Sequence, residues 1–303
     1  GVIVAFLQYF VMILNAMLGI TKIFVMFSKG QASANRVASV LHAPEDLPLL
    51  PAADPIPGAP HIAFRNVTFS YNGREPDVEN LTFSIGHGQT LGILGATGSG
   101  KTTLLLLLLR LYDPDSGTIL LDGQDIRSIP PEQLRRKFGV VFQNDFVAEG
   151  TAADNIRFFR EISDDAVSRA ADFAQAEFLW ERPEGLETPV QVRGNNLSGG
   201  QKQRLLIARA LAANPEILIL DDASSALDYA TDANLRQSLY QNFQNTTTVV
   251  VAQRVSSLRH ADLILVLDAG KIIGAGSHES LMADCETYRH IALTQMGAEK
   301  EGF

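Results

Sequence analysis

The chain has 303 residues, 25 of them basic and 34 acidic, for a formal charge of −9. Its 46% apolar content is ample for a buried core and excludes a disordered protein, while a single cysteine excludes a disulfide scaffold or a cysteine-rich zinc module. The acidic balance opposes a protein that mainly grips nucleic acid, and the length suits one or two domains.

Charge is unevenly placed. Residues 1–44 hold Lys22, Lys29 and Arg36 and no acid, so +3 stands at the start and −12 on the remainder. Residues 1–27 are almost wholly apolar, a run long enough to cross a bilayer as a helix. Gln8, Asn15 and Lys22 interrupt it at intervals of seven and so share one helix face, which suits contact with other helices or a water-filled cavity. Two rivals are a buried helix of a soluble protein and a signal peptide. Ala32-Ser33-Ala34 mimics a cleavage site, but no basic segment precedes the run, and the run is too long for a signal core. The basic residues lie at its C-terminal end, which the positive-inside rule places in the cytoplasm. Gly1 already stands inside the run, so a piece of a longer membrane domain is expected.

Residues 45–60 carry Pro48, Pro51, Pro55, Pro57 and Pro60 and read as a linker. Residues 61–90 alternate apolar and polar, which predicts antiparallel strands with one solvated face. Thr90–Leu94 reads as a buried strand. Gly95, Ala96, Thr97, Gly98, Ser99, Gly100, Lys101 and Thr102 then match GxxxxGK[ST], with a helix from Thr103 to about Leu111. Strand, glycine loop and helix together make a phosphate cradle: glycines let backbone N–H groups converge, and the helix start adds its positive dipole end. Lys101 can reach the β- and γ-phosphates of a nucleotide, and Thr102 can ligate Mg²⁺. The Leu104–Leu109 run reads as buried core.

The segment from about Asn144 to Ala213 is mainly helical by pattern and forms an insert. Ile217–Leu220 is a strand ending in Asp221-Asp222; a carboxylate at a parallel strand's C-terminal edge is placed to hold Mg²⁺ beside the phosphate loop. Strands Thr248–Ala252 and Leu263–Leu267 complete a mostly parallel sheet covered on both faces. The histidines show no ligand spacing such as HExxH, so no metal cage of protein ligands is expected. Arg135-Arg136-Lys137 reads as a solvated helix face, Cys285 as incidental and Trp180 as packing. The tail after Gln295 is expected to fray.

Leu197-Ser198-Gly199-Gly200-Gln201, followed by KQRLLIARAL, resembles the signature motif of ATP-binding cassette (ABC) transporters. The other cassette motifs follow in that family's order over about residues 60–295. Tyr71 resembles the aromatic that stacks on adenine, Gln143 after the strand GVVF the Q-loop glutamine, and Ser225-Ala-Leu-Asp228 the D-loop. Ser33–Leu41 and the stretch Gly150-Thr151 to Asp154-Asn155-Ile156 are similar to exporter sequence. The resemblance implies an α/β P-loop NTPase cassette: a RecA-like parallel core, an antiparallel β subdomain and a helical subdomain, preceded by a transmembrane helix. It divides the chain into 1–44 (last membrane helix and extension), 45–60 (linker), 61–296 (nucleotide-binding domain) and 297–303 (tail). It implies ATP and Mg²⁺ as ligands, with Thr102, Gln143 and Asp221 on the metal. ATP would lie against Tyr71, Gly95–Thr103 and a partner's signature. Thr103, Ser198, Gly199, Gly200, Gln201 and Asp228 complete the implied nucleotide-contacting set. The partner is a second half-transporter, arranged head to tail in a membrane with the cassettes on the cytoplasmic side; no nucleic acid is involved, and the cargo is unknown.

Two positions depart from the family. Asp222 stands where it places the catalytic Glu, and Gln253 where it places the switch His. Asp is one methylene shorter, retracting its carboxylate by roughly 1.5 Å, and misplacement on the order of 1 Å can cost about a hundredfold. Gln253 donates a hydrogen bond but carries no positive charge. The expectation is a site that binds ATP and hydrolyses it poorly, within a heterodimer whose partner supplies the true Glu and His and whose competent site uses this chain's intact LSGGQ. The alternatives are a homodimer with two slow sites, a non-transport cassette ATPase, and a general P-loop phosphotransferase. A further departure puts Gln191-Val192 in place of the exporter's Gly-Glu pair.

Overall fold

A computed structural model describes residues 1–43, 47–143 and 146–301, with side chains to Gln295. The first residues of the expected linker (Glu45, Asp46), Pro44, the start of the expected insert (Asn144) and the last two residues of the expected tail lie outside the described residues. The chain forms two compact units, Gly1–Pro48 and Leu49–Phe303.

The first unit is one helix, α1 (Val2–Leu41). At 40 residues it is about 60 Å long, twice the hydrocarbon core of a bilayer. None of its residues is buried, and its apolar stretch is long enough to cross a membrane.

In the second unit, Leu50 N–H donates to Arg127 O (2.9 Å) and Ile56 N–H to Asp122 O (2.7 Å), tying down the proline-rich stretch without helix or strand. An antiparallel sheet holds β1 (Ile62–Phe69), β2 (Val78–Ile85), β4 (Ser116–Leu121) and β5 (Gln124–Asp125) in the order β2-β1-β4-β5. Along β2 the buried residues Leu81, Phe83 and Ile85 alternate with exposed ones, giving the single solvated face that the pattern predicts.

The second sheet comprises β3 (Thr90–Gly95), β6 (Phe138–Val141), β9 (Ile217–Asp221), β10 (Thr247–Val251), β11 (Leu263–Asp268) and β12 (Lys271–Gly276). Its order is β12-β11-β3-β10-β9-β6. All neighbours are parallel except the β11–β12 hairpin. Alternation sends successive residues to opposite layers. Ile217, Ile219, Val249, Val251, Leu91 and Ile93 join the core shared with the antiparallel sheet and α2 (Lys101–Leu108). Leu218 and Leu220 instead join a helical core built on α4 (Ala152–Arg157), α5 (Asp164–Phe173) and α6 (Gly199–Leu211). Leu94, Ile264 and Val266 pack towards α8 (Val255–Leu258), α9 (His278–Asp284) and α10 (Glu286–Glu301). Strands this buried need apolar side chains on both faces, which is why they read as unbroken apolar runs.

Three details differ from the sequence reading. Cys285, read as incidental, is buried against Gly274 and belongs to the core. Trp180 is half-exposed and donates its indole N–H to Asp172 Oδ1 at 2.7 Å. Past Gln295, where a frayed tail is expected, the backbone continues as α10 to Glu301.

Candidate nucleotide-binding site

The parallel strands end in register: Asp221 lies opposite Val251, and Gly95 opposite Leu267. The loop from Gly95 to Gly100 leaves this edge and enters α2. Glycine is required at position 100, where φ is +98° and a Cβ would sit 2.8 Å from Val78 Cγ1 and 3.0 Å from Asp77 O. Gly98, with φ +82°, has nothing within 4 Å of the same point, so the loop is open on that side. No side chain caps α2, so its first N–H groups are left for an anion. Within the loop, Ser99 N–H donates to Ala96 O at 3.2 Å, and Ser99 Oγ is buried without a hydrogen-bond partner.

A cavity of about 270 Å³ opens at this edge. Thr97, Gly98, Gly100, Lys101, Thr102 and Thr103 form one wall. Gln143, Asp221, Asp222 and Gln253 form the other, together with Asp77, Val251 and Ala252. Lys101 Nζ donates to Gly95 O (2.8 Å) and Ala96 O (2.7 Å). Burial pushes its pKa down, against the pull of Asp221 and Asp222. Asp221 is buried, and that burial, reinforced by Asp222, pushes its carboxyl up; Lys101 opposes the shift. A buried carboxylate beside a second carboxylate is suited to a divalent cation.

Asp222 occupies the left-handed region at φ +51°, which Asp tolerates better than a bulkier side chain. Its N–H donates to Val251 O at 2.9 Å, and its carbonyl accepts from Ser225 Oγ at 2.8 Å. Gln143 Nε2 donates to Asp222 Oδ2 at 3.4 Å. Gln253 is exposed, and its backbone is held from a distance: Gln295 Nε2 donates to Gln253 O, and Gln295 Oε1 accepts from Val255 N–H, both at 2.8 Å.

Tyr71 borders this region through its neighbours. Its N–H donates to Asp77 Oδ2 (2.9 Å), and its hydroxyl to Thr103 Oγ1 (3.4 Å). Its ring meets Phe69 and Tyr112 edge-on and is 43% exposed, so a face remains available for stacking.

The signature residues line none of this cavity. Ser198 Oγ accepts from Gln201 N–H (3.2 Å), and Gln201 Oε1 accepts from Ser198 N–H (3.0 Å), a reciprocal cap on α6. Gly199 is exposed, with room for a side chain, whereas a Cβ at Gly200 would press on Ala226 O at 3.1 Å. Asp228 caps α7 (Tyr229–Asn242), and hydrogen bonds from Thr231 hold its carboxyl below the usual range. After the Q-loop, β7 (Gly150–Thr151) pairs with β8 (Pro189–Val190), and Thr151 and Asp154 cap α4 reciprocally. Buried Asn155 spans Ala148 and Thr151 O, and accepts from Arg209. Next to β8, Gln191 N–H is held by Asn196 Oδ1 at 2.9 Å, and Val192 is exposed.

Asp77 and Gln295 escaped the sequence reading. Asp77 sits in the polar run NGREPD, and Gln295 at the head of a polar tail; neither run has a period that marks a site.

Fold and site define the class: a P-loop ATPase cassette with a separate helical layer carrying a second glycine-rich helix start. Residues 78–225 match the family model described as ABC transporter. The chain is 39% identical over 305 residues to an uncharacterized ABC transporter ATP-binding protein of Mycobacterium tuberculosis, covering 97% of this chain and 52% of the relative. It is 43% identical over 242 residues to a beta-(1-->2)glucan export ATP-binding/permease protein of Rhodopseudomonas palustris, covering 79% and 40% respectively. A solved bacterial Atm1-family ABC exporter with ATP bound superposes with a TM-score of 0.80 at 35% identity, covering 89% of this chain and 48% of that one. This chain therefore belongs to the ABC transporter family through its ATP-binding domain, which is an ATPase domain of that type. It spans about half the length of the relatives it matches.

Proposed function

We propose that the chain is the motor part of an ABC exporter subunit, binding Mg²⁺-ATP in its cassette and coupling that to movement of membrane helices. One observation carries the reading: the phosphate loop, Gln143, Asp221, Asp222 and Gln253 share a cavity from which the signature residues are excluded. An excluded signature has work only on another cassette's nucleotide, so the active unit is a head-to-tail pair.

The residues present fit Mg²⁺-ATP: a glycine cradle, a lysine, a buried carboxylate and an orphan Ser99 hydroxyl. Backbone N–H groups of the loop and Lys101 orient the phosphates, and Tyr71 offers its exposed face to the base. Thr102, Asp221 and Gln143 would hold Mg²⁺, which when bound neutralises charge on the phosphate oxygens. Asp222 is the base position that orients water, and Gln253 donates towards the γ-phosphate. The shorter carboxylate and the uncharged amide slow hydrolysis without removing any binding group.

This favours a heterodimer in which the present site is the slow one and Ser198, Gly199, Gly200 and Gln201 complete the partner's faster one. A homodimer with two slow sites is the second reading, favoured by the near-isosteric Asp and Gln. The membrane is crossed by α1 with its basic end, and so the cassette, on the cytoplasmic side; the glucan export in one relative's name says nothing of this cargo. The test is ATP binding and turnover by the full chain alone and co-purified with candidate half-transporters. Tight binding with slow turnover alone, and brisk turnover only in a mixed pair, is the expected result. Brisk turnover by the lone chain that Asp222→Asn abolishes would overturn the slow-site reading.

A further inference from the structure

At the opposite edge of the parallel sheet from the nucleotide cavity, three distant segments converge. His61 precedes β1, His87 lies between β2 and β3, and Asp122 follows β4. A ring nitrogen of each histidine and a carboxylate oxygen of Asp122 lie within 4.8 Å of one another. Asp122 N–H donates to His61 O at 2.9 Å, which fixes the two backbones together. His87 Nε2 is 2.7 Å from Asp122 Oδ1.

His61 is only 1% exposed, and its Nε2 has no hydrogen-bond partner. Its other nitrogen, Nδ1, is 2.6 Å from Thr247 Oγ1. That hydroxyl donates to Gly86 O (3.3 Å) and accepts from Gly88 N–H (3.1 Å). The donor in the His61–Thr247 bond is set by the tautomer of His61: with the proton on Nδ1, the Thr247 hydroxyl keeps its own proton for Gly86 O. In that tautomer His61 Nε2 is a lone pair, buried and without a hydrogen-bond partner. Fixing one imidazole nitrogen as a donor to an oxygen while the other faces outward as a lone pair is how proteins prepare a metal-ligating histidine. Burial, with help from His87, pushes His61 down, towards the neutral imidazole, against the pull of Asp122. The other charges near the site, Lys137 and Glu216, are paired with each other at 2.5 Å.

We propose that His61, His87 and Asp122 form a site for a zinc-class divalent ion, separate from the Mg²⁺-ATP site. Two imidazoles and one carboxylate are a borderline-soft set that suits zinc over magnesium or calcium, with water as the fourth ligand. The rings are stacked, with centroids 3.9 Å apart and planes 12° apart, so their in-plane lone pairs do not meet at one point. Tetrahedral zinc spaces its ligand atoms by about 3.3 Å. The ion therefore enters as His87, whose side chain is 60% exposed, turns off the face of His61. Because Thr247 begins β10 and Asp122 follows β4, the filled site ties the antiparallel sheet to the parallel one.

The test uses the full chain in detergent, without a histidine tag and stripped by a chelator. Co²⁺ is added and its visible absorption read, followed by displacement with Zn²⁺. The expected result is one Co²⁺ per chain with a tetrahedral spectrum, displaced by equimolar Zn²⁺ and untouched by Mg²⁺-ATP. His87→Ala and Asp122→Asn, both at positions exposed enough to keep the fold, lower Zn²⁺ affinity more than about a hundredfold. Thr247→Val, which removes the hydroxyl's bonds to His61, Gly86 O and Gly88 N–H together, lowers it about 10–100-fold, with thermal unfolding showing that the chain still folds. His260→Ala, at an exposed histidine elsewhere, changes nothing. No tetrahedral spectrum, or one-to-one binding that survives His87→Ala, overturns the proposal. The outcome is independent of whether the cassette drives export.

Discussion

Gln143 Nε2 lies 3.4 Å from Asp222 Oδ2, so the glutamine that follows β6 and the carboxylate that follows β9 meet across the mouth of the nucleotide cavity. The contact is long for a hydrogen bond and therefore weak. It links two positions that the proposed mechanism assigns to hydrolysis, one of which, Asp222, is a methylene shorter than the Glu that the resemblance places there.

Lengthening that residue and restoring charge at the switch should speed the chemistry. In the assembled transporter, Asp222→Glu with Gln253→His is expected to raise ATP turnover, by up to about a hundredfold at this site. Steady-state phosphate release checks it, and an unchanged rate means that other features slow the site.

Asp221 supplies a pH signature. Its folded pKa is raised, so protonation is favoured in the fold; the ionised form costs stability, and the cost appears as pH rises through the folded value. Asp221→Asn should therefore melt at a higher temperature than wild type at neutral pH without nucleotide. The gap should close as pH falls through the raised folded pKa to the ordinary carboxylate value. The same variant should lose the Mg²⁺-dependent gain in ATP affinity. A melting gap independent of pH would contradict the assignment.

Gln295 holds the Gln253–Val255 backbone without reaching the cavity. Gln295→Ala removes both bonds to the Gln253–Val255 backbone, at a cost of about 1 kcal/mol each. Turnover in the complex should fall while ATP affinity changes little. Gln295→Glu keeps the acceptor for Val255 N–H but loses the donor to Gln253 O, and should fall between. A proportional loss of binding and turnover would mean that the contact only supports the fold.

Gly199→Asp tests the trans role of the signature. A Cβ there meets only Ala226 Cβ at 3.8 Å, so the cassette should fold normally. ATP binding at this chain's own phosphate loop should persist, and turnover of the mixed pair should drop at least tenfold. Loss of binding at its own site would place the signature in cis.

Lys101→Ala should abolish ATP binding at this chain's loop, read by nucleotide protection against thermal unfolding. The lysine is the one cation on the cavity wall among the described residues, and its partners there are carbonyl oxygens that need no charge.

The sequence alone determined the class of fold and the phosphate loop. Local spacing carries both: apolar runs mark strands buried on two faces, GxxxxGK[ST] occupies eight consecutive residues, and a membrane-length apolar run marks α1. Even LSGGQ is locally explained, because Ser198 and Gln201 cap their own helix. Tertiary structure decided which distant residues share a space. Gln143, Asp221 and Gln253 come from separate strands and meet only because β6, β9 and β10 end in one plane. Gln295 reaches Gln253 because α10 packs beside α8, and the polar run around it carries no sign of that. The histidines lack ligand spacing in the sequence, yet His61 and His87 are stacked in space, brought together with Asp122 by two sheets folding against each other. Short-range patterns encode elements; a site assembled from loops at the ends of those elements is set by packing, which no local period records.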